Sequence, residues 1–409
     1  MRLSCYIFHD NKLCLQTSDE TKIPLIELLE GGYQRPTYIY NFDDVKARVE
    51  HMKSAFKGKC HIHYALKSND HPLLLKKMAA LGLGVDLVSA GELSKALEAG
   101  FQVKDIVFSG IGKTKSEIQK ALEAQISQIN VESPAELRRI EHIAGQLGVR
   151  ARVAFRLNPE VNPVTHPYIC TGFRENKFGM DSSFFDELHS ILSDSKHLDL
   201  VGITAHIGSQ LRDLSASLEA VEKSLGVFEK WRSKGFKVQT LDIGGGIGID
   251  YSSLNTSSEF EMIKEYGEKV LSIVDGADLT LLSEPGRILV GRCGVLVTEV
   301  QYIKETPHKN FCIVDSGMHH LMRPSLYQAN HQILPLNLKP DPARKLYDIV
   351  GPICESADVL GHERPFQSLK EGDLLAVMDT GAYGRVMMNN YNSHPEPIEF
   401  VVEGGKIVS

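Results

Sequence analysis

From about residue 60 the chain repeats one rhythm: a short apolar, β-branched run, a polar turn, then a stretch with the 3.6-residue period of an amphipathic helix. The apolar runs are "HIHYAL" (61–66), "GVDLV" (84–88), "DIVFSG" (105–110), "SQINVE" (127–132), "RARVAFRL" (150–157), "LVGITAHIG" (200–208), "VQTLDIGGG" (238–246) and "LTLLSEPGR" (279–287). Between them lie helical patterns such as "HPLLLKKMAALG", "AGELSKALEAG" and "SPAELRRIEHIAGQLG", each closed by the glycine that commonly stops a helix. Eight strands and seven helices in this order predict a (βα)8 TIM-type barrel. A doubly wound open sheet fits less well, because the glycine-rich turn comes late and not after the first strand.

After about residue 288 the rhythm breaks. "ILVGRCGVLVTEVQYIKE", "KNFCIVDSG", "YDIVGPIC", "DLLAVMD" and "PIEFVVEGGKIVS" read as strands without long intervening helices, and "LSCYIFHDNKLCLQ" near the start reads as a hairpin. The expected organisation is an α/β chain: a barrel over 36–285, and a second β-rich domain made from 1–35 and 286–409.

The 409 residues suffice for two filled cores. Composition is that of an ordinary globular protein, at 42% hydrophobic and 24% charged. A net charge of −7 without a basic block argues against nucleic acid and leaves a small molecule or another protein as partner. Seven scattered cysteines without a C-x-x-C pair suit a reducing, cytoplasmic setting, and no apolar run is long enough for a membrane span.

In such a barrel chemistry sits at the C-terminal strand ends, and several here carry unusual polar residues. Lys67 closes the first run. An amine kept in low-dielectric surroundings can attack a carbonyl and form a Schiff base; the alternative is a strand-end lysine paired with a carboxylate. "LDIGGGIGIDY" (241–251) offers three glycine amides as a phosphate cradle, or a flexible turn. "SGIGKTKSE" (109–117) resembles a P-loop but has Val107 where the motif needs glycine, so Gly112-Lys113-Thr114 reads as a strand-to-helix turn. "SEPGRIL" (283–289) places Glu284 and Arg287 on one turn, either as a structural pair or as holders of a ring nitrogen and an anion. In "VGPICESADVL" (350–360), Glu355 and Asp358 disfavour a thiolate at Cys354, which suits a proton donor; a buried packing cysteine is the alternative. Tyr383 and Tyr391 lie in a Gly/Asn-rich loop. His61, His63, His319 and His320 lack the spacing of a metal site.

The order of the blocks "YALKSN", "HIGSQ", "GGGIGIDY", "EPGR", "MRPSLYQANH", "GPICESADVL" and "DTGAYG…NYN" resembles that of the fold-type III pyridoxal phosphate-dependent decarboxylases, over about residues 36–395. The closest likeness is to the branch acting on meso-diaminopimelate. This resemblance implies an alanine racemase-like fold and pyridoxal 5′-phosphate as cofactor. It implies a homodimer with shared active sites and no metal. Lys67 would carry the cofactor, His206 would stack on its ring, and Ser209, Gly244, Gly245 and Gly246 would hold its phosphate. Glu284 would keep the ring nitrogen protonated, with Gly286, Arg287 and Tyr383 also on the cofactor side. Arg287, Arg323, Tyr327 and Tyr383 would grip the substrate's distal end. Cys354 as proton donor and Glu355 on the distal amine would come from the second subunit.

Three departures from the family pattern stand out: Ser68 for a common alanine, "SGMHH" (316–320) for an Asn-Asp ending, and an insertion at Phe173-Arg174-Glu175-Asn176. A related enzyme acting on ornithine, arginine or another amino acid is a rival reading, against which Arg287, Arg323 and Tyr327 argue. Racemases of this fold place an arginine at the ring nitrogen. A non-catalytic relative would be expected to have lost Lys67 or Cys354.

Overall fold

The computed structural model describes residues 5–29, 32–162, 177–340 and 343–408. The insertion at 173–176 lies outside them. The chain forms two units, one of residues 50–248 and 261–286, the other of residues up to 49, 249–260 and 287 onward.

The first unit is a closed barrel of eight parallel strands. In chain order they are β1 (Cys60–Ala65), β2 (Gly84–Leu87), β3 (Ile106–Phe108), β4 (Gln128–Val131), β5 (Ala151–Leu157), β6 (Leu198–Ala205), β7 (Thr240–Asp242) and β8 (Thr280–Ser283). Pairing of Leu281 with Cys60 and of Leu282 with His61 closes β8 onto β1. All eight expected strands form, but most stop short of their polar ends. Lys67 therefore sits on a 3-10 turn, Leu66–Ser68, that directly follows β1. His206 follows β6, Gly244–Gly246 follow β7, and Glu284 follows β8. Because the strands are parallel, these residues gather at one barrel mouth.

Local chemistry sets the helices between them. Pro134–Leu147 begins with the Ser133 side chain accepting the Glu136 amide and ends at Gly148, whose φ of 67° is left-handed. The P-loop look-alike is a helix start: Thr114 and Glu117 form a reciprocal capping box. Lys113 is buried against Glu136 at 2.8 Å and the carbonyls of Gly110 and Asn130, leaving no ammonium for a nucleotide.

The second unit holds a three-stranded antiparallel sheet (Tyr6–His9, Lys12–Gln16, Lys22–Pro24) and a nine-stranded sheet. Three strands of the larger sheet have no counterpart in the hydrophobic pattern: Thr37–Asn41, Val359–Gln367 and the short Ile333–Pro335. Thr37–Asn41 falls within the span expected for the barrel, yet it pairs with Gly294–Glu305 on one side and Ile398–Glu403 on the other. All five of its residues are buried, so it shows no alternation. Val359–Gln367 carries His362, Glu363 and Arg364 and reads as polar, but pairs with Arg344–Val350. Conversely, the apolar "ILV" after Arg287 turns as a short helix, Arg287–Val290. Leu13, Leu15, Leu25, Ile39, Val295, Val297, Met378 and Val402 form the core of this unit.

A buried ionic network ties the second unit together. Glu259 Oε1 accepts Arg292 Nη2 at 2.6 Å and Oε2 accepts Arg48 Nη1 at 3.0 Å, while Arg292 Nη1 also donates to Asp379 at 2.9 Å. Burial opposes ionisation of Glu259, but the two guanidinium groups overcome it and hold its carboxyl below the ordinary range. No helix of the described residues is long and apolar enough to cross a membrane.

Candidate active site

At the barrel mouth, Lys67 Nζ donates to Asp86 Oδ2 at 2.7 Å. Asp86 lies near the end of β2 and is wholly buried, and its other oxygen has no hydrogen-bond partner among the described residues. The Lys67 turn is itself clamped. Ala65 N donates to Pro285 O at 3.1 Å, and a Cβ on Gly286 would come within 3.1 Å of Ser68. Gly286 thus lets the Glu284 turn press on the lysine turn.

Glu284 and Asp242 share a carboxyl–carboxyl hydrogen bond, which requires a proton on one of them. Burial pushes both carboxyls upward, most strongly Glu284, and the charges of Asp242 and Asp86 add to it. Outside that shared bond, Glu284 Oε1 and Asp242 Oδ2 are buried and receive no N–H or O–H donor from the other described residues. Three carboxyls facing one ammonium, each with a buried oxygen that no N–H or O–H group of the other described residues reaches, make a slot suited to a cationic N–H group. A protonated pyridine nitrogen has both the donor and the charge, so these residues fit a pyridoxal cofactor.

His206 Nδ1 accepts the Gly245 amide at 3.2 Å, which places the neutral ring's proton on Nε2. Burial first, then the cations Lys67 and Arg156, hold this imidazole well below its ordinary value, so it remains neutral. A neutral ring can stack on a cationic pyridinium without repulsion.

The glycine turn corrects the expected cradle of three free amides. Gly244 N donates to Asp242 Oδ1 at 2.9 Å and Gly245 N to His206, so two of the three are used inside the protein. The glycines are required mainly by close packing: a Cβ on Gly245 would lie 2.0 Å from Glu284 O, and one on Gly246 2.4 Å from Gly208 O. The Gly246 carbonyl accepts Leu211 N at 2.9 Å, which brings the segment bearing Ser209 alongside the turn.

The second unit gathers another set. Arg287 Nη1 donates to Tyr251 Oη at 2.7 Å, and its guanidinium lies 4.8 Å from the Tyr383 ring. Arg323 begins the short helix Arg323–Tyr327 and lies 4.4 Å above the face of Tyr251. Both arginines are buried, at 6% and 4% exposure. Among the described residues Arg323 forms no ion pair with a carboxylate, and its Nε has no partner. Burial, followed by the charge of Arg287, lowers the Arg323 value, as expected for cations crowded together. Tyr327 is half-buried beside this cluster and acts electrostatically on both arginines.

Cys354 is exposed, which removes the packing alternative. Its amide donates to Asn392 Oδ1 at 3.4 Å, and the adjacent Glu355 accepts Tyr391 Oη at 2.8 Å. Asp358 instead turns inward, accepting the amides of Met318 and Ile353 at 2.6 and 2.7 Å, and fixes the base of the cysteine loop. The rings of His319 and His320 lie 3.8 Å apart between centroids and tilted at 43°, with burial as the main cause holding them neutral.

Sequence reasoning missed Asp86, Asp242, Tyr251 and His331. The two aspartates had a signal: each is a lone carboxylate at or near the end of an apolar strand, in "GVDL" and "TLD".

Residues 42–291 match the family model described as pyridoxal-dependent decarboxylase, pyridoxal binding domain. A diaminopimelate decarboxylase of Aquifex aeolicus is 41% identical over 379 residues, covering 93% of this chain and 89% of the relative. The crystal structure of Helicobacter pylori diaminopimelate decarboxylase complexed with L-lysine matches with a TM-score of 0.87 at 40% identity, over 93% of this chain and 95% of that one. The M. jannaschii diaminopimelate decarboxylase in co-complex with L-lysine gives 0.88 at 34% identity, over 98% and 93%. With the lysine turn, the paired carboxyls and the glycine turn set around one barrel mouth, these likenesses place the chain in the pyridoxal-dependent decarboxylases, within the diaminopimelate decarboxylase family.

Proposed function

We propose that the protein decarboxylates meso-2,6-diaminopimelate to L-lysine and CO2, with pyridoxal 5′-phosphate as cofactor. The observation that carries the substrate assignment is the buried Arg323, a guanidinium without a carboxylate of its own among the described residues, set beside Arg287 over the face of Tyr251. A buried cation without a counter-ion is costly unless a ligand supplies one. A distal carboxylate is such a ligand; ornithine and arginine have none. The L-lysine found in the complexes of two relatives is the product such a reaction would leave.

In this reading Lys67 holds the cofactor through Nζ, released from its pair with Asp86. Glu284, beside Asp242, would keep a proton at the ring nitrogen, and His206 would stack on the ring. Ser209 and Gly246 serve the phosphate, together with Tyr383. Bound pyridoxal phosphate supplies an electron sink for the pair left on Cα when the carboxylate departs as CO2. Arg287, Arg323 and Tyr327 hold the distal carboxylate, so that the Cα carboxylate is the one lost. Cys354 Sγ gives the proton that replaces it, and Glu355 holds the distal amine. Both are supplied across a homodimer in the cytoplasm.

The test is incubation of the purified protein with pyridoxal phosphate and meso-diaminopimelate. CO2 and L-lysine are the expected products. Turnover of a different amino acid, with none of this one, would reassign the substrate and leave the chemistry standing.

A further inference from the structure

We infer that His331 is a positioning residue for recognition of the distal carboxylate, holding the Arg323 guanidinium so that its Nε–Nη2 edge meets the ligand. This rests on the carboxylate role proposed for Arg323.

His331 is wholly buried. It precedes the short strand Ile333–Pro335, whose partner strand Leu374–Val377 ends just before Met378. At the end of this ladder His331 Nδ1 lies 2.7 Å from Met378 O, and Nε2 lies 2.6 Å from Arg323 Nη1. A carbonyl oxygen only accepts and a guanidinium only donates. The imidazole therefore has its single proton on Nδ1 and offers the Nε2 lone pair to the arginine. A second proton would set donor against donor and cation against cation. Burial, followed by the charge of Arg323, holds the ring in this neutral form.

The consequence lies on the arginine. His331 takes Nη1, and the ring of Tyr251 covers one face at 4.4 Å. Tyr251 also packs edge-on against His331, with ring centroids 4.9 Å apart, so the three groups lock one another. Rotation of the guanidinium is thereby stopped. Nε has no partner among the described residues, and the Nε–Nη2 edge is one that pairs bidentately with carboxylates. A buried histidine, lacking any contact with the ligand, thus sets the direction from which the carboxylate is read.

Two substitutions separate the roles. His331→Asn keeps a donor near Met378 O and loses the acceptor for Arg323; His331→Gln keeps an acceptor near the Nε2 position and loses the tie to Met378. With the holoenzyme and the amino acid it turns over, His331→Asn is expected to raise KM about 10-fold with kcat within about 2-fold, the worth of one charge-assisted hydrogen bond. His331→Gln should restore KM to within about 3-fold of the parent. Melting temperatures of both variants are measured alongside, since a purely structural histidine would make KM follow stability. The inference is overturned if Asn leaves KM unchanged, if Gln is the worse variant, or if in both variants kcat falls and KM rises in step with the loss of stability. Arg323→Ala in parallel separates the two ideas: a raised KM there with none in His331→Asn removes the positioning role alone, and no change in either removes both.

Discussion

Asp86, wholly buried, holds the partly exposed ammonium of Lys67 at 2.7 Å, so the lysine expected to carry the cofactor rests as one half of an ion pair. Of the two readings of a strand-end lysine, pairing with a carboxylate is the one the structure shows, and the proposed cofactor role has to displace that pair. Lys67→Met leaves Asp86 charged and buried without its partner, and should destabilise the cofactor-free protein by about 1–3 kcal/mol. Lys67→Met/Asp86→Asn should recover most of that loss, while neither variant retains cofactor after borohydride reduction. Denaturant titration reads the first effect and intact-mass measurement the second. Stability lost equally in single and double variants would show that the pair contributes nothing.

The shared proton of Glu284 and Asp242 makes stability depend on pH. Burial raises both carboxyls, and the charges of Asp242 and Asp86 raise Glu284 further. The folded state therefore binds a proton that the unfolded chain releases above about pH 4. This contribution is fully present below that value and is lost as pH rises through the folded-state value. Glu284→Gln needs no such proton. In cofactor-free protein, the melting temperature of the Gln variant minus that of the parent should increase from pH 5 to pH 8.5. A flat difference would rule out proton sharing.

Arg323→Ala should raise KM by on the order of 100-fold, because charge-assisted hydrogen bonds to a carboxylate are lost. The visible absorbance of bound cofactor should be unchanged, as the barrel-mouth residues are untouched. Steady-state kinetics at saturating cofactor check this, and an unaltered KM would remove Arg323 from substrate binding.

Glu259 bridges two buried arginines, which Asp44 and Asp379 also pair. Glu259→Gln places a donor where an arginine already donates and should cost about 3–5 kcal/mol in urea unfolding. With its folded-state value depressed, the Glu259 contribution is present above the ordinary carboxylate range and fades as pH falls. The gap between parent and variant should accordingly narrow in acid; a gap that widens there would contradict the ionic reading.

What the linear sequence determined was the barrel and the chemistry at its mouth. Runs such as "GVDLV" and "LVGITAHIG" are apolar enough to mark buried parallel strands, and polar residues such as Lys67 and His206 interrupt them where the ladder ends. Both signals are local, since burial of a strand and its termination depend on a few adjacent side chains. Tertiary structure decided everything that depends on a partner distant in the chain. Thr37–Asn41 is a sheet strand because neighbours from residues 294–305 and 398–403 flank it. Gly244 and Gly245 use their amides on Asp242 and His206, and their packing explains the glycines better than a phosphate does. His331 is a histidine in a loop until Met378 and Arg323 reach its two nitrogens. A side chain's type limits the hydrogen bonds it can make, and only the fold supplies the group that fixes which one is made.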